Sequence, residues 1–267
     1  MTKTSHPRNT KERRIHIIER VQQLRQVSVT ELSRTFGISE VSIRRDLDYL
    51  HEAGLLKRTH GGAQALSSSS QGLVFDARRL QNVESKRAIG QAAAALVQPG
   101  EVILLDSGTT VLEIARRLPR QLLESGSLTV ITRSLAIAAE LRSQRQVRLI
   151  MLGGVYTPEY DSFTGAPVEN ALQGLHADTL FVGAEGVVPE RGLTSDNLME
   201  VSIYRALVRC AGKVVVVTDS SKIGVNKLQT LLTFEAIHVF ITDAGAPAGL
   251  VSSLQQKGIQ VILVPCP

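Results

Sequence analysis

Six short polar clusters, each closing an apolar run, hold the side chains of this 267-residue chain best suited to bind a small charged molecule. Asp106-Ser107-Gly108-Thr109-Thr110 runs into helical sequence. There Gly108 lets an anion approach the backbone, and Thr109 and Thr110 add hydroxyls beside the N–H groups of a helix start. Thr132-Arg133-Ser134 sets a cation between two hydroxyls. Gly153-Gly154 and Gly183-Ala184-Glu185-Gly186 close two more runs. Thr194-Ser195-Asp196-Asn197 precedes Glu200, one turn into a helix, and Asp219-Ser220-Ser221-Lys222 completes the set. Arg133, Lys222 and the helix start at Gly108 suit a phosphate; Asp106, Asn197, Glu200 and Asp219 suit hydroxyls. A phosphorylated sugar or polyol matches that mixture. Each cluster alone has a plainer reading. A DSGTT turn is an ordinary strand–helix junction, Glu200 complements a helix dipole, and Lys222 is a solvated loop lysine. Their coincidence favours a ligand, because burying so many polar groups without one leaves them to be satisfied otherwise.

A second group of residues suits a different partner, duplex DNA. Within Val29–Ala63, a helix over Thr30–Phe36 ends at Gly37, which accepts the left-handed conformation of a tight helix–helix turn. Ser39 is placed to cap the next helix, where Ile43, Leu47 and Leu50 share one apolar face. Val41, Ser42 and Arg45 fall opposite, with Arg44 beside them, at the end that meets base edges in a major groove. Ser42 and Arg45 are expected to read bases. Arg44 is expected to grip phosphates, as are Lys57 and Arg58 on a basic hairpin that turns at His60-Gly61-Gly62. Residues 1–66 hold 12 Lys and Arg against 7 Asp and Glu, while residues 67–267 hold 18 of each. The whole positive excess therefore sits in the segment that reads as DNA-binding. A charge run alone would indicate only a solvated helix face; turn glycine, cap, apolar spacing and wing together indicate a reader.

The remaining sequence supplies elements to position these groups. A helix over Lys11–Arg25, with Ile15, Ile18 and Leu24 inward, precedes the reader. Leu66 to Gly72 is a small, polar, serine-rich linker. Beyond it, a helix at Val83–Val97 leads into apolar strands at Val102–Asp106, Leu128–Thr132, Arg148–Leu152, Thr179–Gly183, Lys213–Thr218, His238–Thr242 and Gln260–Val264. Helices at Val111–Leu118, Ser134–Leu141, Leu198–Cys210 and Pro247–Lys257 fit the intervals. Short continuous apolar strands alternating with helices predict an α/β domain with a mostly parallel sheet. Three segments result: an α+β winged helix-turn-helix domain (1–66), a linker (67–74) and an effector-sensing domain (75–267). No run of 18 apolar residues occurs, so no membrane span is expected. The basic N-terminus has no apolar segment behind it, and Cys210 and Cys266 stand apart from each other and from any His cluster. That pattern suits a reducing cytoplasm and excludes a zinc site of ordinary spacing. No cofactor is expected. With no Trp and 4% aromatic residues, base stacking on single strands is disfavoured.

Taken together, the chain resembles the DeoR family of bacterial transcriptional regulators over essentially its full length. The reader pattern stands as Val41-Ser42-Ile43-Arg44-Arg45-Asp46-Leu47 and the wing as His60-Gly61-Gly62-Ala63. The sensor pattern stands at Asp106–Thr110, Gly153-Gly154, Asn197 with Glu200, and Asp219–Lys222. The resemblance implies a sensor fold similar to ribose-5-phosphate isomerase and CoA transferases, without catalysis. It further implies an effector from sugar metabolism, usually phosphorylated, and repression as the usual mode. One departure is Arg133-Ser134, where many members carry asparagine and a small polar residue; Arg133 either adds charge to the pocket or points to solvent. The continuation Glu113-Ile114-Ala115-Arg116 looks most like the amino-sugar branch.

The leading expectation is a homo-oligomeric repressor, dimer or tetramer, released from operator DNA by a phosphorylated sugar. Its rival is a sugar-phosphate isomerase with a DNA-binding arm, in which Asp106, Glu185 or Asp219 would be the base and Lys222 would stabilise an enediolate. A constitutive architectural DNA binder is the third reading.

Overall fold

The computed structural model describes residues 10–52, 55–65 and 72–265. The chain forms two compact units, Met1–Gln81 and Asn82–Pro267. The first contains α1 (Thr10–Leu24), β1 (Gln26–Ser28), α2 (Val29–Phe36), α3 (Glu40–Glu52), β2 (Lys57–Thr59), β3 (Gly62–Gln64) and α4 (Gly72–Leu80). Ser28 caps α2, its Oγ accepting from the Glu31 N–H at 3.1 Å, and Gly37 ends that helix at φ 64°. Ile43, Leu47 and Leu50 of α3 are fully buried beside Leu32 and Phe36, as their spacing predicts. The three short strands pair antiparallel in the order β1–β3–β2, a winged helix-turn-helix. At three residues, β1 is too short for alternation to show in sequence.

Two features of this unit differ from expectation. In α1 the inward residues are Ile17, Ile18 and Val21, whereas Leu24 is half exposed where the helix ends and Arg25 turns to φ 63°. The Ile15 side chain lies outside the described residues. Helix α4 has no counterpart in the sequence reading, which runs a linker to residue 74 and the sensing domain from 75; it places Ala77 in the reader's own core cluster. The Ser67–Ser70 run also lies outside the described residues.

The second unit begins with α5 (Val83–Ala94), β4 (Val102–Leu105), α6 (Thr109–Ala115), α7 (Arg120–Glu124), β5 (Thr129–Thr132), α8 (Leu135–Leu141) and β6 (Arg148–Met151). A hairpin of β7 (Val155–Thr157) and β8 (Ser162–Thr164) follows, then α9 (Ala166–Leu172) and β9 (Ala177–Val182). After β10 (Gly186–Val188) and β11 (Gly192–Ser195) come α10 (Glu200–Arg209), β12 (Ala211–Val217), β13 (Gln229–Leu232), β14 (Val239–Asp243), α11 (Ala248–Gln256) and β15 (Gln260–Val264). All seven expected strands join one sheet in the order β15–β14–β12–β9–β4–β5–β6. Every pairing in it is parallel. Its central strands are buried on both faces; β14 is buried throughout, while the edge strands β6 and β15 keep exposed residues. The chain leaves β4 in one direction through β5 and β6, then returns to the other side of β4 at β9. That reversal, between the carboxyl ends of β4 and β9, is where open α/β sheets bind ligands.

Close backbone approach holds the wing. A Cβ at Gly62 would sit 1.9 Å from the Val27 carbonyl oxygen. Gly62→Ala is therefore expected to destabilise the first unit by roughly 1–3 kcal/mol, as overpacking does, and to lower its urea midpoint. An unchanged midpoint would show that β1 and β3 separate without cost.

Candidate DNA interface and effector site

Helix α3 carries the reader's chemistry, and two arginines of α1 hold it in place. The buried Asp46 carboxylate accepts from Arg13 Nε at 2.6 Å and Arg14 Nε at 2.8 Å. The Arg14 guanidinium also lies 3.7 Å from the centre of the Tyr49 ring. These two cations are thus structural. On the opposite face Arg44 and Arg45 are exposed, Ser42 is partly exposed, and Val41 is 60% exposed. Arg44 meets Glu40 at 3.0 Å, an exposed pair that a phosphate can displace. Arg45 and Lys57 have no ion-pair partner among the described residues. Ser39 does cap α3, accepting from the Ser42 N–H at 3.3 Å, and His60 is exposed at the wing tip. Arg58, expected on phosphate, is committed elsewhere. Its Nε meets Asp48 at 2.7 Å and its Nη1 donates to the Gly62 carbonyl at 2.6 Å, so it closes the wing onto α3. Val41 is the apolar group of this surface, suited to a thymine methyl; its place on the recognition face was legible, its role was not.

At the carboxyl ends of the parallel strands, Asp106 after β4, Arg133 after β5 and Glu200 at the start of α10 converge in the interior. Arg133 is 1% exposed, which excludes the solvent-facing alternative. Its Nε donates to Asp106 at 2.5 Å, and its Nη1 and Nη2 donate to the two Glu200 oxygens at 3.1 and 2.5 Å. Nη1 reaches the Phe163 carbonyl as well, at 3.2 Å. One cation thus faces two carboxylates. Burial, and after it the Asp106 charge, hold the Glu200 carboxyl above its ordinary 4.5 even though Arg133 pulls it down. Burial also pushes the Tyr204 phenol well up, and its hydroxyl donates to the Gly183 carbonyl at 3.3 Å. The guanidinium read in sequence as a phosphate ligand is therefore largely neutralised by its neighbours.

Several other hydroxyls and glycines of the sequence set serve the backbone. Thr132 Oγ1 accepts from the Ser134 N–H at 3.0 Å, and Ser134 Oγ caps α8 through Ile137. Gly154 lets Thr164 approach, since a Cβ would lie 2.6 Å from its carbonyl oxygen, and Gly153 is exposed beyond the edge strand β6. Asn197 Oδ1 accepts from the Met199 N–H at 3.0 Å on the rim of a cleft of about 490 Å³. Glu185 accepts from Ser195 Oγ at 2.9 Å.

What remains open lies around the β9 terminus. Asp106 Oδ2 and Asp219 Oδ2 are buried acceptors without a hydrogen-bond donor among the described residues. Because β4 and β12 flank β9, the strands that lead to these two residues run two inter-strand spacings apart, about 10 Å. Gly183 lies between them, and a Cβ there would meet nothing closer than 3.8 Å. Sequence reasoning placed Gly183 in one of the six clusters without giving it a role; strand order supplies one. Gly108 takes φ 130° and ψ 151°, a conformation essentially confined to glycine, and brings in the partly exposed Thr109 and the nearly buried Thr110. Lys222 is partly exposed three residues after Asp219, with no ion-pair partner among the described residues. None of the described residues form a His, Cys, Asp and Glu group able to hold a metal.

The DeoR C terminal sensor domain model matches residues 81–244, and the DeoR-like helix-turn-helix domain model matches residues 13–69. The chain belongs to the DeoR family. Relatives of this family match end to end. A putative aga operon transcriptional repressor from Escherichia coli O157:H7 is 36% identical over 96% of this chain and 94% of its own. The regulator GolR from Listeria innocua is 35% identical over 94% and 97%, and GlpR from Haloferax volcanii 33% over 94% and 96%. This DeoR protein is accordingly a DNA-binding transcriptional regulator and not an enzyme, so the isomerase reading falls. The solved ribose 5-phosphate isomerase of Methanocaldococcus jannaschii is only distantly similar, with TM-score 0.40 and 20% identity over 54% of this chain and 55% of that one. No described helix is long and apolar enough to cross a membrane.

Arg133→Leu is expected to strand two buried carboxylates and cost about 3–5 kcal/mol in denaturant unfolding. Arg133→Lys should recover only part, since an ammonium cannot fork to both. A raised Glu200 means the folded state holds more protons than the unfolded one just above pH 4.5, so stability declines as pH rises through that window. Glu200→Gln should remove this part of the slope; an identical slope would place the titration elsewhere.

Proposed function

We propose that this regulator represses a carbohydrate-utilisation operon and leaves its operator when a phosphorylated sugar binds at the ends of β4, β9 and β12. The carrying observation is the pair of buried carboxylate oxygens, on Asp106 and Asp219, that have no hydrogen-bond donor among the described residues and follow the two strands flanking β9. Buried acceptors call for donors, and sugar hydroxyls are donors. Lys222 supplies the uncommitted cation for the phosphate, and the glycine conformation at Gly108 opens the backbone beside it. Arg133 holds Asp106 and Glu200 in place rather than meeting the ligand. Two relatives named as transcriptional repressors, one of them of the aga operon, support the mode of action.

On DNA, a homo-oligomer in the cytoplasm presents α3 from two protomers to half-sites about one helical turn apart. Ser42, Arg45 and Val41 face the bases; Arg44, Lys57 and His60 face the backbone. Arg45→Ala is expected to lose roughly 1–3 kcal/mol of discrimination between operator and unrelated duplex, whereas Lys57→Ala weakens both and lowers the salt slope by about one. Equal losses on both duplexes would make Arg45 a phosphate contact.

For the effector, a thermal-shift screen pairs each hexose and pentose monophosphate with its free sugar. One phosphorylated member should raise the melting temperature while its free counterpart does not. Lys222→Ala should weaken that ligand about 10- to 100-fold, the range for a charge-assisted hydrogen bond. If no pair differs, the phosphate assignment is wrong.

A further inference from the structure

Asn82 is the first residue of the second unit and stands at the amino end of α5. An asparagine there ordinarily caps its own helix. This one does not. Its backbone takes the left-handed conformation, φ 47° and ψ 40°, and its side chain makes no cap bond. The amide instead donates to Asp219 Oδ1 at 2.8 Å and to Ser221 Oγ at 3.0 Å, across 137 and 139 positions of sequence. A carboxylate only accepts, so the partner atom has to be the amide nitrogen. Asp219 is 2% exposed; its Oδ1 also accepts from the Ser221 N–H at 3.1 Å and from the Ser221 hydroxyl, while Oδ2 has no donor.

Connectivity gives this bond its interest. Helix α4 ends at Leu80 and is anchored in the reader's core through Ala77. Gln81 alone separates it from Asn82. The residue that leads the chain out of the reader unit is thus held by a carboxylate of the ligand-facing strand ends.

We propose that Asn82 is the coupling residue that passes occupancy at Asp219 to the chain segment carrying the DNA reader. This rests on the effector reading above, in which Asp219 Oδ2 receives a ligand hydroxyl. A donor arriving at Oδ2 redistributes the carboxylate among its partners and reorients Ser221, changing the hold on Asn82. The left-handed backbone, which asparagine adopts more readily than other residues except glycine, is favoured by that hold. Asn82 positions the chain; it is not itself a ligand contact.

The test uses full-length protein and an operator duplex selected from a random-sequence pool. Asn82→Gly keeps the left-handed conformation without the amide, and Asn82→Asp keeps side-chain size but turns the donor into an acceptor. The ligand is the hexose or pentose monophosphate that raises the wild-type melting temperature. Asn82→Gly should fold and bind that ligand within about threefold of wild type, yet the ligand's weakening of operator binding should shrink by about tenfold, within the usual range of allosteric couplings. Asn82→Asp, which sets a second carboxylate beside Asp219, should lose the coupling and weaken the ligand as well. Variants that release the operator as wild type does would overturn the coupling role and leave the effector reading intact. If no monophosphate binds wild type, the effector reading fails on its own, and a ligand-free cycle decides. In that cycle Asn82→Gly and Asp219→Ala should each shift operator affinity, and the double variant should shift it no further. Additive shifts, or none, would show that the Asn82–Asp219 bond does not reach the reader.

Discussion

The second unit depends on one buried guanidinium. Arg133 joins the ends of β4 and β5, the start of α10 and the β8 strand through Asp106, Glu200 and the Phe163 carbonyl. Bringing three ionised groups out of water costs several kcal/mol per ion, and only good geometry with added hydrogen bonds offsets it. Asp106 lies 27 positions before Arg133 and Glu200 67 positions after it, so the network forms only once β4, β5 and α10 have come together. It thereby favours one arrangement of the strand ends over others, which a binding surface built from those ends requires. Burial, and after it the Asp106 charge, raises both Glu200 and Tyr204.

Arginine plays the same part in the reader. Arg13 and Arg14 close on the buried Asp46, and Arg58 joins the wing to Asp48, so the recognition helix is gripped from two sides. The cations left for DNA are those without such duties. Positive charge in this segment thus divides between building the reader and serving it, and formal charge counts do not separate the two.

Periodicity was enough to locate the reader helices and all seven strands of the large sheet, because Ile43, Leu47 and Leu50 or the apolar run of β12 are long enough to carry a pattern. The β7–β8 hairpin and the β10–β11–β13 sheet escaped, since three or four residues carry little periodic signal. The candidate site was legible as a set of strand ends but not as a division of labour. Arg133 looked like a ligand group because sequence shows its charge and conceals Asp106 and Glu200 beside it. Thr132 and Ser134 looked like ligand hydroxyls because capping and binding use the same residue types. Gly183 was named without a role and Asn82 went unremarked for the opposite reason: their meaning comes from strand order and from a contact spanning more than half the chain.

Magnitudes indicate whether so small a set of groups could operate a switch. Moving a two-state equilibrium from 1:99 to 99:1 takes a preference of about 5.5 kcal/mol for one state. Hydrogen bonds to charged groups contribute roughly 1.5–3 kcal/mol each. Two hydroxyls on Asp106 and Asp219 and a phosphate on Lys222 therefore suffice in principle, provided most of their energy is realised in only one arrangement. Asp106 is clamped by Arg133 and suits an anchor that binds alike in either arrangement. Asp219 shares its bonded oxygen between Asn82 and Ser221, groups at a unit boundary and on a short turn. In the proposed effector complex the Arg133 end of the site supplies affinity, and Asp219 together with Lys222 supplies the difference in affinity on which regulation depends.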